Sequence, residues 1–149
     1  MSAGACLFCR IAKGEVPSEV VYANDRLVAF LDINPIRPGH TQIIPRAHFP
    51  VFDELPADLL AEMAATGQTI ARALKRIYGV HRVGFAFTGT DVAHAHAHVV
   101  PLVASDDITS RRYIAEEVVT YVKAPPPAPG EFDAVAKQLR AELAATPGG

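Results

Sequence analysis

The sequence predicts an α+β protein built on a mostly antiparallel sheet with helices on one side. Short strand-like segments lie both before and after one long helical segment. Strands and helices do not alternate along the chain, which argues against repeated parallel βαβ units. The 149 residues, half of them hydrophobic, suit a single soluble globular domain with one core.

The N-terminal third contains three predicted strands. Apolar and β-branched residues there form short runs between turn-forming residues. The segments, in order, are a loop that carries Cys6 and Cys9, with Pro17 closing any early helix, strands at 20–22 and 27–32 around a turn at Asn24 and Asp25, a turn-rich break at 34–39, and a strand at 40–45.

One long helix is predicted at 53–78. Pro56 suits its first turn, and Gly79 is a natural C-terminal stop. Gly67 lies inside the pattern, where glycine weakens a helix. The apolar residues at helical spacing are Leu59, Leu60, Met63, Ile70, Leu74 and Ile77.

The C-terminal half adds two strands and a second helix. Residues 106–122 fit a helix or a strand equally well. Residues 124–149 are interpreted as a Pro-rich linker and a C-terminal helix that can be peripheral to the domain. The segments are strands at 82–87 and 92–102 around a turn at 88–91, the linker at 124–130, a helix at 132–143 and a frayed end at 146–149.

The charge distribution disfavours several kinds of partner. The chain has 14 Lys and Arg against 16 Asp and Glu, and no basic stripe, so nucleic acid is not expected as a partner. No segment has the pattern of a signal peptide or the apolar length of a membrane span. Two cysteines are too few for a secreted disulfide framework. We therefore expect a cytoplasmic protein with no membrane partner.

Three histidines alternate with alanines at 94–98. In a strand, His94, His96 and His98 would share one face in a row, with backbone neighbours about 6 to 7 Å apart. Ala95 and Ala97 would pack on the other face. A row of imidazoles is poor core material because each ring has polar atoms that need partners. The row therefore predicts a functional site.

Two kinds of chemistry fit such a row. A neutral imidazole can attack phosphorus with the lone pair of one nitrogen, while the other nitrogen donates to a carbonyl or carboxylate. A neighbouring histidine can stabilise phosphoryl oxygens or protonate the leaving group. Alternatively, all three histidines hold a catalytic metal, because three histidines are also a common zinc set.

Cys6 and Cys9 have the spacing of half a zinc site. Since no second cysteine pair exists, the remaining ligands of a tetrahedral site would be histidines, with His48 and His94 as the candidates. Such a zinc ion would tie the N-terminal loop to the sheet and add stability. The alternatives are a redox pair and two inert thiols.

The run His-Ala-His-Ala-His-Val-Val at 94–100 resembles the signature of the histidine triad (HIT) family. The likeness extends upstream as an ordered series of motifs over about residues 6–102. The motifs are Cys-Leu-Phe-Cys-Arg-Ile-Ala-Lys-Gly-Glu-Val-Pro-Ser at 6–18, Phe-Leu-Asp-Ile-Asn-Pro at 30–35, Pro-Gly-His at 38–40 and Ile-Ile-Pro-Arg-Ala-His at 43–48. The first of these is similar to the zinc-carrying bacterial branch of the family.

The resemblance implies catalytic and metal-binding roles for particular residues. His96 would be the nucleophile, His98 would contact the phosphate, and His40 would support the active-site histidines. It also implies an α+β fold with a five-stranded antiparallel sheet, usually paired as a homodimer. The zinc ligands, in a structural role, would be Cys6, Cys9, His48 and His94.

The resemblance also implies a nucleotide site. Asp32 would bind the ribose hydroxyls, and Ile33 and Phe8 would flank the base. Gly89 would allow close approach of the backbone to the phosphate. Typical substrates are nucleoside phosphoramidates, aminoacyl-adenylates and dinucleoside polyphosphates. The chain departs from the family pattern next to the triad, where Asp91 falls at a position that often contacts phosphate.

The sequence as a whole predicts a nucleotide hydrolase or nucleotidyl transferase that acts at an α-phosphate. The substrate would be a nucleoside phosphoramidate or a dinucleoside polyphosphate, and the intermediate a nucleotidyl-histidine at His96. The alternative is a nucleotide-binding module with little turnover, because Thr90 and Asp91 replace the Gln and the small hydroxyl residue common in the family.

Overall fold

The computed structural model describes residues 6–88, 91–104, 107–108 and 127–145. Five antiparallel strands form one sheet in the order β1-β2-β3-β5-β4, which confirms the predicted fold class. The elements are α1 (Leu7–Ala12), β1 (Val20–Ala23), β2 (Leu27–Leu31), β3 (Thr41–Pro45), a 3-10 turn (Phe52–Glu54), α2 (Ala57–Tyr78), β4 (Arg82–Phe87), β5 (Ala97–Leu102) and α3 (Glu131–Ala145).

The main core lies between one face of the sheet and the two long helices. Strands β2 and β3 are buried along their whole length, and residues from alternate positions point to this face. The helix α3 contributes Val135, Ala136 and Leu139 to the core. In the described part of the chain, no helix combines the length and apolar character that a membrane span requires.

The opposite face of the sheet is covered by the short helix α1. Phe8 and Ile11 of this helix pack on Val28, Phe30 and Ile44, which alternate with the residues of the main core. Helices therefore lie on both sides of the sheet, and the expectation of helices on one side was wrong. The predicted N-terminal loop was also wrong, since Cys9 lies within α1.

The long helix starts later than predicted and ends where predicted. Residues 52–54 form a separate 3-10 turn, and Leu55 is extended, as expected for a residue before proline. Pro56 caps α2, and Gly79 ends it in the left-handed conformation at φ +64°. Gly67 permits close packing of α2 on the sheet, because a Cβ atom there would lie 2.4 Å from the Phe85 ring.

The strand predicted at 92–102 begins only at Ala97. The residues before it form bends, and the Ala95 N–H donates to the Phe49 carbonyl instead of joining the sheet ladder. His94 and His96 therefore precede the strand, and only His98 lies in it. Gly89 and Thr90 of the predicted turn, and residues 109–122 of the ambiguous segment, fall outside the described residues.

Gly39 positions the following residue, His40, and tolerates no side chain. Its φ is +88°, and a Cβ atom would lie 2.6 Å from the Tyr78 ring and 2.7 Å from Leu74 Cδ2. We expect Gly39→Ala to lower the free energy of unfolding by about 3 kcal/mol, from backbone strain and overpacking together.

Gly79→Ala is the matched control for Gly39→Ala. Gly79 also has a positive φ, but nothing lies within 4 Å of a Cβ atom there. We expect this variant to lose only about 1 kcal/mol. Denaturant unfolding of both variants measures the difference, and equal losses would contradict the packing role assigned to Gly39.

Candidate active site and metal centre

Two cysteines and two histidines from distant segments meet beneath α1. Cys6 and Cys9 come from the start and the interior of α1, His48 follows β3, and His94 precedes β5. Cys6 Sγ lies 3.4 Å from His94 Nδ1, and Cys9 Sγ lies 3.3 Å from His48 Nδ1. The four ligand atoms all lie within 4.8 Å of one another. The predicted metal-ligand residues are therefore brought together.

The donor set fits a tetrahedral zinc ion. Zinc bonds of about 2.3 Å to sulfur and 2.0 Å to nitrogen place the two donors about 3.5 Å apart at a tetrahedral angle. His94 Nε2–H donates to the Pro45 carbonyl at 2.9 Å, which leaves the Nδ1 lone pair facing the cysteines. Burial, followed by the Cys6 side chain, raises the pKa of the metal-free Cys9 thiol, so metal binding would release its proton.

His96 is held with one nitrogen bonded and the other free to react. Its Nδ1–H donates to the backbone carbonyl of His94 at 2.7 Å, and the edge of its ring packs on Phe8 with ring centroids 5.1 Å apart. The residue is 6 % exposed. Because Nδ1 carries the proton, the lone pair of the neutral ring is on Nε2, as a nucleophile requires.

A cavity of about 260 Å³ lies beside His96. Its apolar side includes Phe52 and Phe87, whose ring centroids are 5.5 Å apart, and Asp53 adds a carboxylate. Sequence analysis identified His94 and His96 but not the rest of this lining, which comes from the segment after β3 and from the end of β4. The lining residues are Pro50, Val51, Phe52, Asp53, Phe87, Thr88, His94, Ala95 and His96.

His40 and His98 form a hydrogen-bonded pair next to His96. The Ile36 N–H donates to His40 Nδ1 at 3.2 Å, so the proton of the neutral His40 ring is on Nε2. His40 Nε2–H then donates to His98 Nδ1 at 2.8 Å, which places the His98 proton on Nε2. Burial lowers the pKa of His40 to about 4 and also lowers the pKa of His98, so both rings are neutral near pH 7.

Asp32, His40 and His98 also bring three potential metal-ligand atoms together. His40 cannot offer a metal its Nε2 lone pair in this arrangement, because the Ile36 N–H occupies Nδ1 and the ring proton is therefore on Nε2. The arrangement is a hydrogen-bonded His40–His98 pair with the Asp32 carboxylate 3.6 Å from His40 Nε2, rather than a metal site.

The three histidines of the triad have three different sets of contacts. His94 faces the cysteines, His96 faces its neighbour's carbonyl, and His98 faces His40. The prediction of one strand through all three was wrong, since β5 begins only at Ala97. In the described part of the chain, His94 and His98 belong to different clusters of potential metal ligands and His96 to neither, which gives no support to one metal held by all three. Rings of His96 and His98 still lie close, with centroids 5.0 Å apart.

The residues predicted to hold the nucleoside differ in position and exposure, and of them Asp32 is grouped with His40 and His98. Phe8 is buried against Phe30, whereas Ile33 is 72 % exposed. Asp32 Oδ1 accepts the Asn34 N–H at 2.8 Å, and its Oδ2 accepts Nε2–H of Gln42 at 2.5 Å. Sequence analysis missed Gln42, although strand alternation from His40 places both on one face.

The remaining residues are two predicted phosphate-binding positions and one ion pair that sequence analysis missed. Asp91 is exposed in a bend, and Gly89 lies outside the described residues. Arg37, in the loop before His40, donates two hydrogen bonds to Asp107 Oδ1, and this guanidinium lowers the pKa of Asp107 to about 2. The pair ties that loop to the chain after β5 and was also missed, because its two residues are distant in sequence.

The five-stranded sheet, the histidines on its α1 face and the Cys2His2 cluster define a histidine triad protein with a candidate zinc centre. A family model described as the HIT domain matches residues 13–104, and the chain belongs to the HIT family.

Relatives and solved structures agree with this membership. A HIT-like protein of Methanocaldococcus jannaschii is 36% identical over 68% of this chain and 81% of its own length. The adenosine 5′-monophosphoramidase HNT1 of Saccharomyces cerevisiae is 34% identical over 65% of this chain and 62% of its own length. A Zn-bound histidine triad family protein from Mycobacterium smegmatis has a TM-score of 0.72, at 29% identity and 96% coverage of both chains.

Proposed function

We propose that the protein hydrolyses nucleoside phosphoramidates, or transfers their nucleotidyl group, through a covalent nucleotidyl-histidine at His96. The observation that carries this proposal is the hydrogen bond from His96 Nδ1–H to the His94 carbonyl, which leaves the lone pair of the neutral ring on Nε2. His96 also lines a cavity of about 260 Å³. The similarity to an adenosine 5′-monophosphoramidase supports an adenosine-containing substrate. Dinucleoside polyphosphates are substrates of the same chemical kind, since they also present an α-phosphate.

The first chemical step exchanges one bond at phosphorus for another. His96 Nε2 gives its lone pair to the α-phosphorus, and the bond from phosphorus to the leaving nitrogen breaks. The amine keeps that electron pair and takes a proton from solvent. The His96 ring becomes positively charged, and the His94 carbonyl that accepts Nδ1–H at 2.7 Å stabilises this charge.

The second step returns the enzyme to its starting state. Water attacks phosphorus, the bond to His96 breaks, and the nucleoside monophosphate leaves while the proton of the water passes to solvent. His98 Nε2–H, a buried donor without a partner, donates to a phosphoryl oxygen in both steps. His40 fixes this orientation of His98 through the bond to Nδ1. In this proposal Phe8 and Ile33 flank the base, Asp32 binds the ribose, and Gly89 and Asp91 have the phosphate-binding role that the family motif gives their positions.

The Cys6, Cys9, His48 and His94 cluster would hold zinc in a structural role. Bound there, zinc would join α1 to the segments that flank β3 and β5, which contributes to folding stability. The ion would have four protein ligands and no open position, as in structural rather than catalytic sites. The Zn-bound relative from Mycobacterium smegmatis supports zinc as the metal.

We also propose a cytoplasmic homodimer. The edge strand β4 has Phe85 42 % exposed, and a second copy could cover such an apolar edge. Both described cysteines are free thiols, which suits a reducing compartment. The proposal includes no nucleic-acid or membrane partner.

Trapping the intermediate tests the mechanism and separates it from a binding module without turnover. On mixing with adenosine 5′-phosphoramidate and rapid acid-free quenching, intact-mass spectrometry should show one adenylyl adduct, and peptide mapping should place it on His96. Adenosine monophosphate should accumulate as the adduct decays. Nucleotide binding with neither adduct nor product would favour the binding module instead.

A further inference from the structure

The face of the sheet beneath α1 contains two complementary polar atoms without partners. In the described part of the chain, three buried side-chain atoms lack a hydrogen bond: Gln42 Oε1, His98 Nε2 and Tyr78 Oη. Two of them belong to residues that are directly paired between β3 and β5. Gln42 Oε1 is an acceptor, and His98 Nε2 carries a proton and is a donor. Leaving a buried polar atom unpaired is destabilising, so each atom favours a ligand that supplies the missing hydrogen bond.

The orientation of the Gln42 amide is fixed by its neighbour. Its Nε2–H donates to Asp32 Oδ2 at 2.5 Å. A flipped amide would place its oxygen against that carboxylate, which would be repulsive. The free atom is therefore the oxygen. The side chain lies between Phe30 on β2 and His98 on β5, because directly paired residues of antiparallel strands share one face.

Each carboxylate oxygen of Asp32 already accepts one hydrogen bond, so only some of its lone pairs are available to a ligand. One oxygen accepts the Asn34 N–H and the other accepts the Gln42 amide, and His40 Nε2 lies 3.6 Å from that second oxygen. A ribose has two neighbouring hydroxyl donors. Asp32 can accept one of them with a remaining lone pair, and the second needs another acceptor close by.

We propose that Gln42 is a substrate-binding residue whose Oε1 accepts a hydrogen bond from a ribose hydroxyl, so that the site prefers ribonucleotides to deoxyribonucleotides. This inference rests on the proposed function at His96. The nucleotide supplies both missing partners, since a sugar hydroxyl donates to Gln42 and a phosphoryl oxygen accepts from His98. Gln42 is only 9 % exposed, so the side chains that cover it have to move before a ribose hydroxyl can reach Oε1.

Product binding tests the proposal without requiring turnover. Calorimetry would measure the dissociation constants of adenosine 5′-monophosphate and its 2′-deoxy and 3′-deoxy forms for wild-type protein, Gln42→Met and Gln42→Leu. The wild type should bind the ribonucleotide about tenfold more tightly than one deoxynucleotide, because the buried acceptor then loses its partner. In both variants, this ratio should fall to near one. Gln42→Met keeps the length of the side chain and is the variant expected to fold best.

Ile33→Ala is the matched control, since Ile33 is exposed beside Asp32 and lacks polar side-chain atoms. It should weaken all three nucleotides equally and leave the ratio unchanged. Inosine 5′-monophosphate lacks the amino group of adenine. If the donor to Gln42 is a sugar hydroxyl and not that amino group, Gln42→Met should weaken binding of inosine 5′-monophosphate and of adenosine 5′-monophosphate by the same factor. A ratio of one in the wild type, or an unchanged ratio in both Gln42 variants, would overturn the inference alone. Failure of the wild type to bind any ribonucleoside monophosphate would overturn the proposed function and this inference together.

Discussion

In the His96→Ala variant, the rate constant for hydrolysis of adenosine 5′-phosphoramidate should fall at least about 10³-fold, because no other side chain can form the covalent intermediate. His98 cannot replace His96, since its Nδ1 already accepts a hydrogen bond from His40 and its Nε2 carries the proton. Binding of adenosine 5′-monophosphate should change much less, because the variant removes a reacting group and not a nucleoside contact. Steady-state kinetics and calorimetry on the same preparation separate these two effects.

His81→Ala is the matched control for this loss. His81 is exposed before β4 and lies outside the site, so the variant should keep wild-type turnover. Activity of His96→Ala within about tenfold of the wild type would contradict the covalent mechanism. Adduct formation on another residue in that variant would contradict it as well.

Local sequence patterns were sufficient for the sheet and the long helix. The apolar residues of α2 repeat at helical spacing, and Gly79 can adopt the positive φ that ends the helix. Strand β2 is a short run of apolar residues, and burial along its whole length accounts for that composition. Strand β3 was indicated by the β-branched pair Ile43 and Ile44. In each case the signal lies within the segment itself.

The segments that were predicted wrongly depend on contacts between distant residues. The six-residue helix α1 has no helical repeat to detect, and it is held by packing on Phe30 and Ile44. The late start of β5 follows from the bond between the Ala95 N–H and the Phe49 carbonyl. Such tertiary contacts override the alternating pattern at 94–98, which by itself indicates a longer strand.

The residues of the site could be predicted from the sequence, but which ring nitrogen of each histidine carries the proton could not. Family motifs identified the histidines and cysteines, and the structure brings Cys6, Cys9, His48 and His94 together. The roles of the ring nitrogens depend on backbone groups, such as the Ile36 N–H at His40 and the His94 carbonyl at His96. Sequence motifs do not contain this information, which is also why Gln42 was missed.

Removing the metal should destabilise the fold much more than it slows the chemistry. At a free zinc concentration about 1,000 times the dissociation constant, binding stabilises the native state by about 4 kcal/mol. For a chain of this size, that corresponds to a fall in Tm on the order of 10 °C on chelation or in Cys9→Ser. Leu7→Ala, an exposed change on the same helix, should leave Tm nearly unchanged.

Activity of the metal-depleted protein below its new Tm decides between a structural and a catalytic metal. His94 links the two sites, because its ring faces the cysteines while its carbonyl accepts His96 Nδ1–H. Metal loss should therefore loosen the nucleophile and lower kcat by less than about tenfold, because the attacking nitrogen itself remains. A loss of 10³-fold or more, with near-ultraviolet circular dichroism unchanged, would require the metal to act at phosphorus. The four-ligand geometry predicts that the metal-depleted protein keeps at least about a tenth of the wild-type kcat below its new Tm and loses the remaining activity together with its fold on heating.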